Sequence, residues 1–140
     1  MLLFEQLRIG DEIPALRKGP ITRQLLVEWC AAENDYYPLH YDERVSKEMK
    51  LPGTPIQGTY KYALMAQAVQ RWLGIAGVLN RLSARYRAVD LEGECLTARG
   101  RITQIEAERV TLEVWVEAQS GTRNTEGVAV VTFAAAGAYK

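Results

Sequence analysis

The sequence predicts an α+β domain in which one long helix lies against a curved antiparallel sheet. Three observations carry this. First, Tyr62, Met65, Ala66, Val69, Trp72 and Leu73 repeat at i, i+3, i+4, i+7 spacing, which predicts an amphipathic helix over about Gln57–Leu73. Second, the hydrophobic period becomes two from Leu79 onward. Third, the strand-like runs are separated only by the turn signals Asp90–Glu94 and Ser120-Gly121, so neighbouring strands pair antiparallel. The helix needs an apolar surface to bury its stripe, and one face of the sheet supplies it. No linker, repeat or low-complexity stretch divides the 140 residues, so residues 1–140 read as a single domain, long enough for one core without staples.

The elements follow in order. Phe4–Leu7 is expected as a short strand turned by Gly10-Asp11, and Pro14 and Pro20 bracket an extended segment. Thr22 is suited to cap a helix running to about Glu33, with Leu25, Leu26, Trp29, Cys30 and Ala32 on one face. Pro38 stops its continuation, so Asn34–Tyr41 is a loop. Asp42 can cap a short helix, Glu43–Met49, and Pro52-Gly53-Thr54-Pro55 makes a second loop. The long helix follows, with Gln57, Lys61, Gln67, Gln70 and Arg71 off the apolar stripe, and Gly74 and Gly77 end it. Leu82, Ala84, Tyr86 and Ala88 alternate with Ser83, Arg85 and Arg87. Val110, Leu112, Val114, Val116 and Ala118 alternate with Thr111, Glu113, Trp115 and Glu117. Leu96–Ile105 and Gly127–Ala134 supply two more strands.

Composition narrows the function. Seventeen basic residues balance seventeen acidic ones, so bulk charge gives no argument for nucleic acid or an anionic membrane. Two distant cysteines, Cys30 and Cys95, make no disulfide framework, and with a single histidine no zinc cluster assembles. The N-terminus reaches Glu5 too soon for a signal peptide, and Gly127–Ala138 is too short for a membrane span. A reducing, cytoplasmic compartment is expected.

Chemistry concentrates in Glu33–Asp42, a Pro-bent loop holding His40, Asp35, Asp42 and three tyrosines. Such a loop can aim His40 and Asp35 at one point, where one takes a proton from a water and the other orients it. A lone loop histidine is more often a surface or hydrogen-bonded structural residue, and Asp42 reads as a helix cap. Gly58 exposes a backbone N–H at the positive end of the long helix, where it can polarise a carbonyl; it can also be a glycine that close packing requires. Arg85 and Arg87 share a strand face that could meet phosphates, or simply a solvated face. Asp90–Glu94 reads as a solvated turn. The sequence has no phosphate-binding Gly-rich loop and no Gly-x-Ser-x-Gly elbow.

Together these residues resemble the MaoC-like dehydratases, the R-specific enoyl-CoA hydratases of the hot-dog fold. In that family an Asp-x-Asn-Pro-Ile/Leu-His-x-Asp loop precedes a short helix and a glycine-marked entry to the long helix. The corresponding residues are Asp35-Tyr36-Tyr37-Pro38-Leu39-His40-Tyr41-Asp42 and Gln57-Gly58. The opening Ile9–Pro14 and the stretch from Arg85-Tyr86-Arg87 to Glu92-Gly93-Glu94 are similar too, so the likeness covers nearly the whole chain. It implies a hot-dog fold, a long central helix wrapped by a curved sheet. It also implies that Asp35 and His40 are the catalytic pair, adding water to a 2-enoyl thioester or reversing that step. Gly58 N–H would bind the thioester carbonyl. Tyr37, Gln57, Arg85 and Arg87 would contact substrate, and the carrier, CoA or an acyl carrier protein, would leave near a dimer interface. No cofactor or metal is implied, and a homodimer or dimer-based oligomer is expected. Tyr37 replaces the family's Asn, Asn34 its Gly, and Gln57 a frequent His. Asn tolerates left-handed backbone well, so the second change is mild.

Two function classes follow: an enoyl-thioester hydratase or dehydratase, or a non-catalytic hot-dog subunit that holds acyl chains or pairs with an active partner. Retention of both Asp35 and His40 favours the first. A hot-dog thioesterase is a weaker third, since those sites place their acids differently.

Overall fold

The computed structural model describes residues 4–134. Its helices are α1 (Arg23–Glu33), α2 (Glu43–Glu48) and α3 (Gly58–Leu73). Its strands are β1 (Leu16–Lys18), β2 (Gly77–Leu82), β3 (Arg85–Tyr86), β4 (Leu96–Glu106), β5 (Arg109–Glu117) and β6 (Arg123–Phe133). The strands form one antiparallel sheet in the order β1-β4-β5-β6-β2, with β3 also on β6. Register shifts at Leu79/Arg81, Ile102/Gln104 and Val116/Glu117 mark irregularities that help curl it. Within this curl lies α3, packed against β1, β2, β4 and β5. This is the expected α+β arrangement, a hot-dog fold. No described helix is long and apolar enough to cross a membrane.

The core follows from two periodicities. Leu96, Ala98, Ile102, Val110, Leu112, Val114 and Val116 are the buried alternates of β4 and β5, and Met65 and Val69 of α3 meet that layer with no exposure. Burying each large apolar side chain contributes roughly 1.5–3 kcal/mol. From α1, Leu26 joins the cluster and Cys30 is fully buried.

Caps match the sequence. Thr22 Oγ1 accepts from Leu25 N at 3.1 Å, and Asp42 Oδ1 accepts from Arg44 N at 2.9 Å. Asn34, the C-cap of α1, is left-handed at φ 55°.

Five expectations need correction. Phe4–Gln6 is a turn of 3-10 helix, not a strand. The Leu82–Ala88 alternation breaks in two, because β2 ends at Leu82 and β3 holds only Arg85-Tyr86. The break sits where Ser83 crosses Gly127 so closely that a Cβ on Gly127 would overlap the Ser83 carbonyl. The buried stripe of α3 is Lys61, Leu64, Met65, Ala68, Val69 and Leu73, turned from the expected face so that Tyr62 is exposed and Lys61 is not. Ala63, Ala66 and Ala68 make the helix weakly apolar nearly all round, so spacing alone leaves its rotation loose by one residue. Finally, Asp90 is fully buried, not part of a solvated turn. The expected start of the last strand at Gly127 is also late, because β6 begins in the polar run Arg123–Glu126. The Gly127–Ala138 run past Ala134, and Met1–Leu3, lie outside the described residues.

Candidate active site

The loop after α1 is shaped by its backbone. With Asn34 left-handed, the chain reverses and Asp35 N donates back to Cys30 O at 3.0 Å. Asp35 is exposed, and its Oδ1 accepts from Tyr37 N at 3.2 Å, an Asx turn. Pro38 then opens a tight turn, Pro38–His40, with its ring-fixed φ suited to a first helical position. Tyr41 Oη donates across the turn to Tyr36 O at 2.8 Å.

His40 is half-buried, and its Nδ1 lies 2.8 Å from Pro55 O. A carbonyl can only accept, so in the neutral ring Nδ1 carries the hydrogen and Nε2 keeps its lone pair. Nε2 meets no protein partner among the described residues, nor do Asp35 and His40 bond each other. The Tyr37 ring stands edge-on to the imidazole, centroids 6.2 Å apart. Asp42 is committed elsewhere: Arg44 bonds its carboxylate from side chain and backbone and holds its pKa below the usual range.

The Pro55 segment leads directly into α3. Gln57, its N-cap, makes no side-chain cap bond. Its amide instead turns into α1, where Nε2 donates to Leu26 O at 3.0 Å and lies 3.2 Å from Cys30 Sγ, leaving Oε1 buried without a partner. Gly58 N–H therefore begins the helix free of any protein acceptor among the described residues. Such a group is an unsatisfied donor at the positive end of a helix.

Gly58 also has a packing partner. A Cβ there would lie 3.0 Å from Cε1 and Cζ of Tyr86. Burial is the main cause that raises the Tyr86 phenol pKa, with Tyr62 and Glu33 adding to it, so the hydroxyl stays protonated. Next to it, Trp29 Nε1 donates to Thr59 Oγ1 at 2.9 Å, and Thr59 Oγ1 donates to Glu33 Oε2 at 2.6 Å, tying α1 to the first turn of α3.

The structure thus brings His40 to the segment that enters Gly58, with Asp35 on the same loop. Tyr37 flanks the histidine, whereas Gln57 points into α1. Arg85 and Arg87 lie elsewhere. They line a surface cavity of about 400 Å³ with Trp115, Arg123, Glu113 and Glu126, which includes none of Asp35, His40 or Gly58. Tyr86, between them in sequence, reaches Gly58 instead. Sequence reading missed Tyr86 and also Lys61 and Asp90, a buried ion pair at 2.6 Å one helical turn from Gly58. Among the described residues no cluster of histidine, cysteine and carboxylates could hold a metal.

This geometry is that of a hot-dog domain with a loop histidine beside the N-terminus of its central helix. Residues 5–126 match the family model of the MaoC-like domain, and the chain belongs to that family. No curated protein matches the sequence significantly. Among solved structures, the (R)-hydratase from A. caviae involved in PHA biosynthesis is similar, with a TM-score of 0.85, 20% identity, and coverage of 93% of this chain and 99% of that one. R-hydratase PhaJ1 from Pseudomonas aeruginosa matches with a TM-score of 0.84 at 18% identity, over 92% of this chain and 83% of that one. The ChsH1-ChsH2 complex from Mycobacterium tuberculosis matches with a TM-score of 0.82 at 15% identity, over 91% and 98%. At these identities the likeness shows the fold.

Proposed function

We propose that the protein is a hydratase/dehydratase acting on 2-enoyl and 3-hydroxyacyl thioesters, acyl-CoA foremost. In the hydration direction the water oxygen bonds to C3 of the enoyl group, and the displaced π electrons move through C2 toward the thioester oxygen. Gly58 N–H stabilises that oxygen. His40 Nε2 and Asp35 remove the water proton and orient the water, and the proton is delivered to C2. Dehydration reverses each step.

One observation carries this reading. The 2.8 Å contact from His40 Nδ1 to Pro55 O leaves Nε2 with a lone pair, on the segment that delivers the unpaired Gly58 N–H. Hydration of crotonyl-CoA, followed by loss of the conjugated enoyl absorbance, tests it. Turnover that depends on Asp35 and His40 is expected, and a wild type without turnover overturns the proposal.

A second reading is a non-catalytic acyl-binding or partner subunit. It draws support from Gln57 turning into α1 and from the heteromeric ChsH1-ChsH2 neighbour. It predicts thioester binding with no hydration. We further propose a dimer-based assembly, in keeping with the exposed Tyr62 and Tyr86 near Gly58. Light scattering at micromolar concentration should then give at least twice the 15.7 kDa chain mass, and a monomer would refute it.

A further inference from the structure

We propose that Lys61, Asp90 and Asn124 form a buried positioning unit that fixes the tautomer of His40 and the placement of Gly58. The inference deepens the proposed function and rests on His40 and Gly58 being its reactive groups.

Lys61 and Asp90 are 2% and 0% exposed, and Nζ meets Oδ2 at 2.6 Å. Asn124 Nδ2 donates to the other carboxylate oxygen at 2.8 Å, and Lys61 Nζ also donates to Ala88 O at 3.3 Å. Three elements therefore converge on one carboxylate: α3, β6 and the segment after β3. A buried ion pair is weak evidence of stabilisation, because apolar replacements of equal volume are often as stable. A lysine in the first turn of a helix also opposes the helix dipole. The pair thus calls for a role that an apolar contact could not fill.

Its role follows from what the backbone of Asp90 does. Asp90 O accepts from Ile56 N at 2.8 Å, Leu91 bridges Pro55, and Glu92 N donates to Thr54 O at 2.8 Å. This short ladder holds the peptide whose carbonyl, Pro55 O, receives His40 Nδ1. Three residues after Pro55 the same segment reaches Gly58. Anchoring the Asp90 side chain therefore fixes both the acceptor that selects the His40 tautomer and the approach of the Gly58 amide. Lys61 completes the arrangement by tying α3 itself to the ladder, so helix and loop cannot shift independently.

His40 is the sole histidine, so its imidazole gives one unambiguous set of NMR resonances. The test compares the wild type with Lys61→Met/Asp90→Asn. This double variant removes both charges together, and the new amide oxygen can still accept from Asn124 Nδ2. In the neutral ring, wild type should be the Nδ1–H tautomer, and the double variant should shift toward Nε2–H. On crotonyl-CoA, kcat should fall about tenfold with KM changed less than twofold. A merely structural role would lower Tm and leave the tautomer and kcat of the folded protein alone; that result overturns the proposal. If the wild type lacks hydratase activity, the proposed function fails while the tautomer shift still judges the clamp. If the double variant does not fold, amide exchange in the wild type decides. Ile56 and Glu92 N–H should be as protected as β4–β5 core amides, and fast exchange there refutes the clamp.

Discussion

Replacing Gly58 by alanine separates a carbonyl-binding glycine from a packing glycine. The added Cβ would sit 3.0 Å from Cε1 and Cζ of Tyr86, against an ordinary carbon contact of about 3.5–4.0 Å, so the ring must retreat by about 0.5–1 Å. Tyr86 is 49% exposed in the single chain, so the retreat is set at the low end of overpacking, about 1 kcal/mol. Exchanging glycine for alanine within a helix returns about 0.5–1 kcal/mol. The two terms nearly cancel, and Tm should stay close to wild type. Turnover should not. A methyl group crowding a carbonyl that approaches Gly58 N–H forfeits the donor, a loss of about 2.7–4 kcal/mol of barrier, or roughly 10²–10³-fold in kcat. Crotonyl-CoA hydration and thermal melts on the same samples check both halves. Near-native turnover would refute the reasoning. So would recovery of turnover in Gly58→Ala/Tyr86→Ala, because relieving the ring contact can restore activity only if packing caused the loss.

Further outcomes follow. Asp35→Asn and His40→Gln should each slow hydration roughly 10²–10⁴-fold, the double variant being little worse than the worse single, since groups acting as a unit are non-additive; stability should change by no more than the roughly 1 kcal/mol of one hydrogen bond, from the lost Pro55 contact. Lys61→Met alone should lower Tm far more than Lys61→Met/Asp90→Asn, because it strands a buried carboxylate; equal melts would show that the pair is not coupled. Glu117 has a pKa lowered first by the Trp115 Nε1–H bond and then by Arg99. Its contribution is therefore fully present above the unfolded value near about 4.3 and is lost as pH falls through the lower folded value. Glu117→Gln should flatten the decline of Tm below that pH, and an unchanged acid profile would count against the assignment.

The fold was legible because its signals are local and redundant. Thr22, Asp42 and Gly74 mark helix ends by chemistry that needs no tertiary context, and the alternation from Val110 to Val114 marks β5, with Trp115 buried on the other face. The site was legible only through a motif. Nothing local tells that His40 bonds Pro55, fifteen residues on. Two of the misreadings, Lys61 and Asp90, are charged residues buried by a distant partner. Lys61 and Asp90 each look solvated alone and become buried only because they neutralise each other across 29 positions. Tyr86 was hidden by its neighbours, since Arg85 and Arg87 draw attention to the face they share while the Tyr86 ring packs at Gly58.

The three departures from the family's residues can be weighed against these contacts. Tyr37 occupies the place of an amide that would organise the loop, yet Asp35 Oδ1 bonds the backbone N–H at that position, which every residue except proline supplies. Loop order comes also from the Pro38 turn and from Tyr41 Oη on Tyr36 O, neither of which needs an asparagine. Asn34 adopts the left-handed cap that a glycine would otherwise take, at φ 55°. Gln57 differs in kind. Its carboxamide secures α3 to α1 through Leu26 O and stays 2% exposed, so it anchors the helix start without offering a titratable group. Only the Gln57 change removes a proton-transfer group. On the proposed mechanism the proton transfers fall to Asp35 and His40, and the helix entry supplies no third titratable group. A pH–rate profile of Gln57→His against wild type tests this. An added ionisation is expected only in the variant, and its presence in the wild type would show that another group, beyond the loop, takes part.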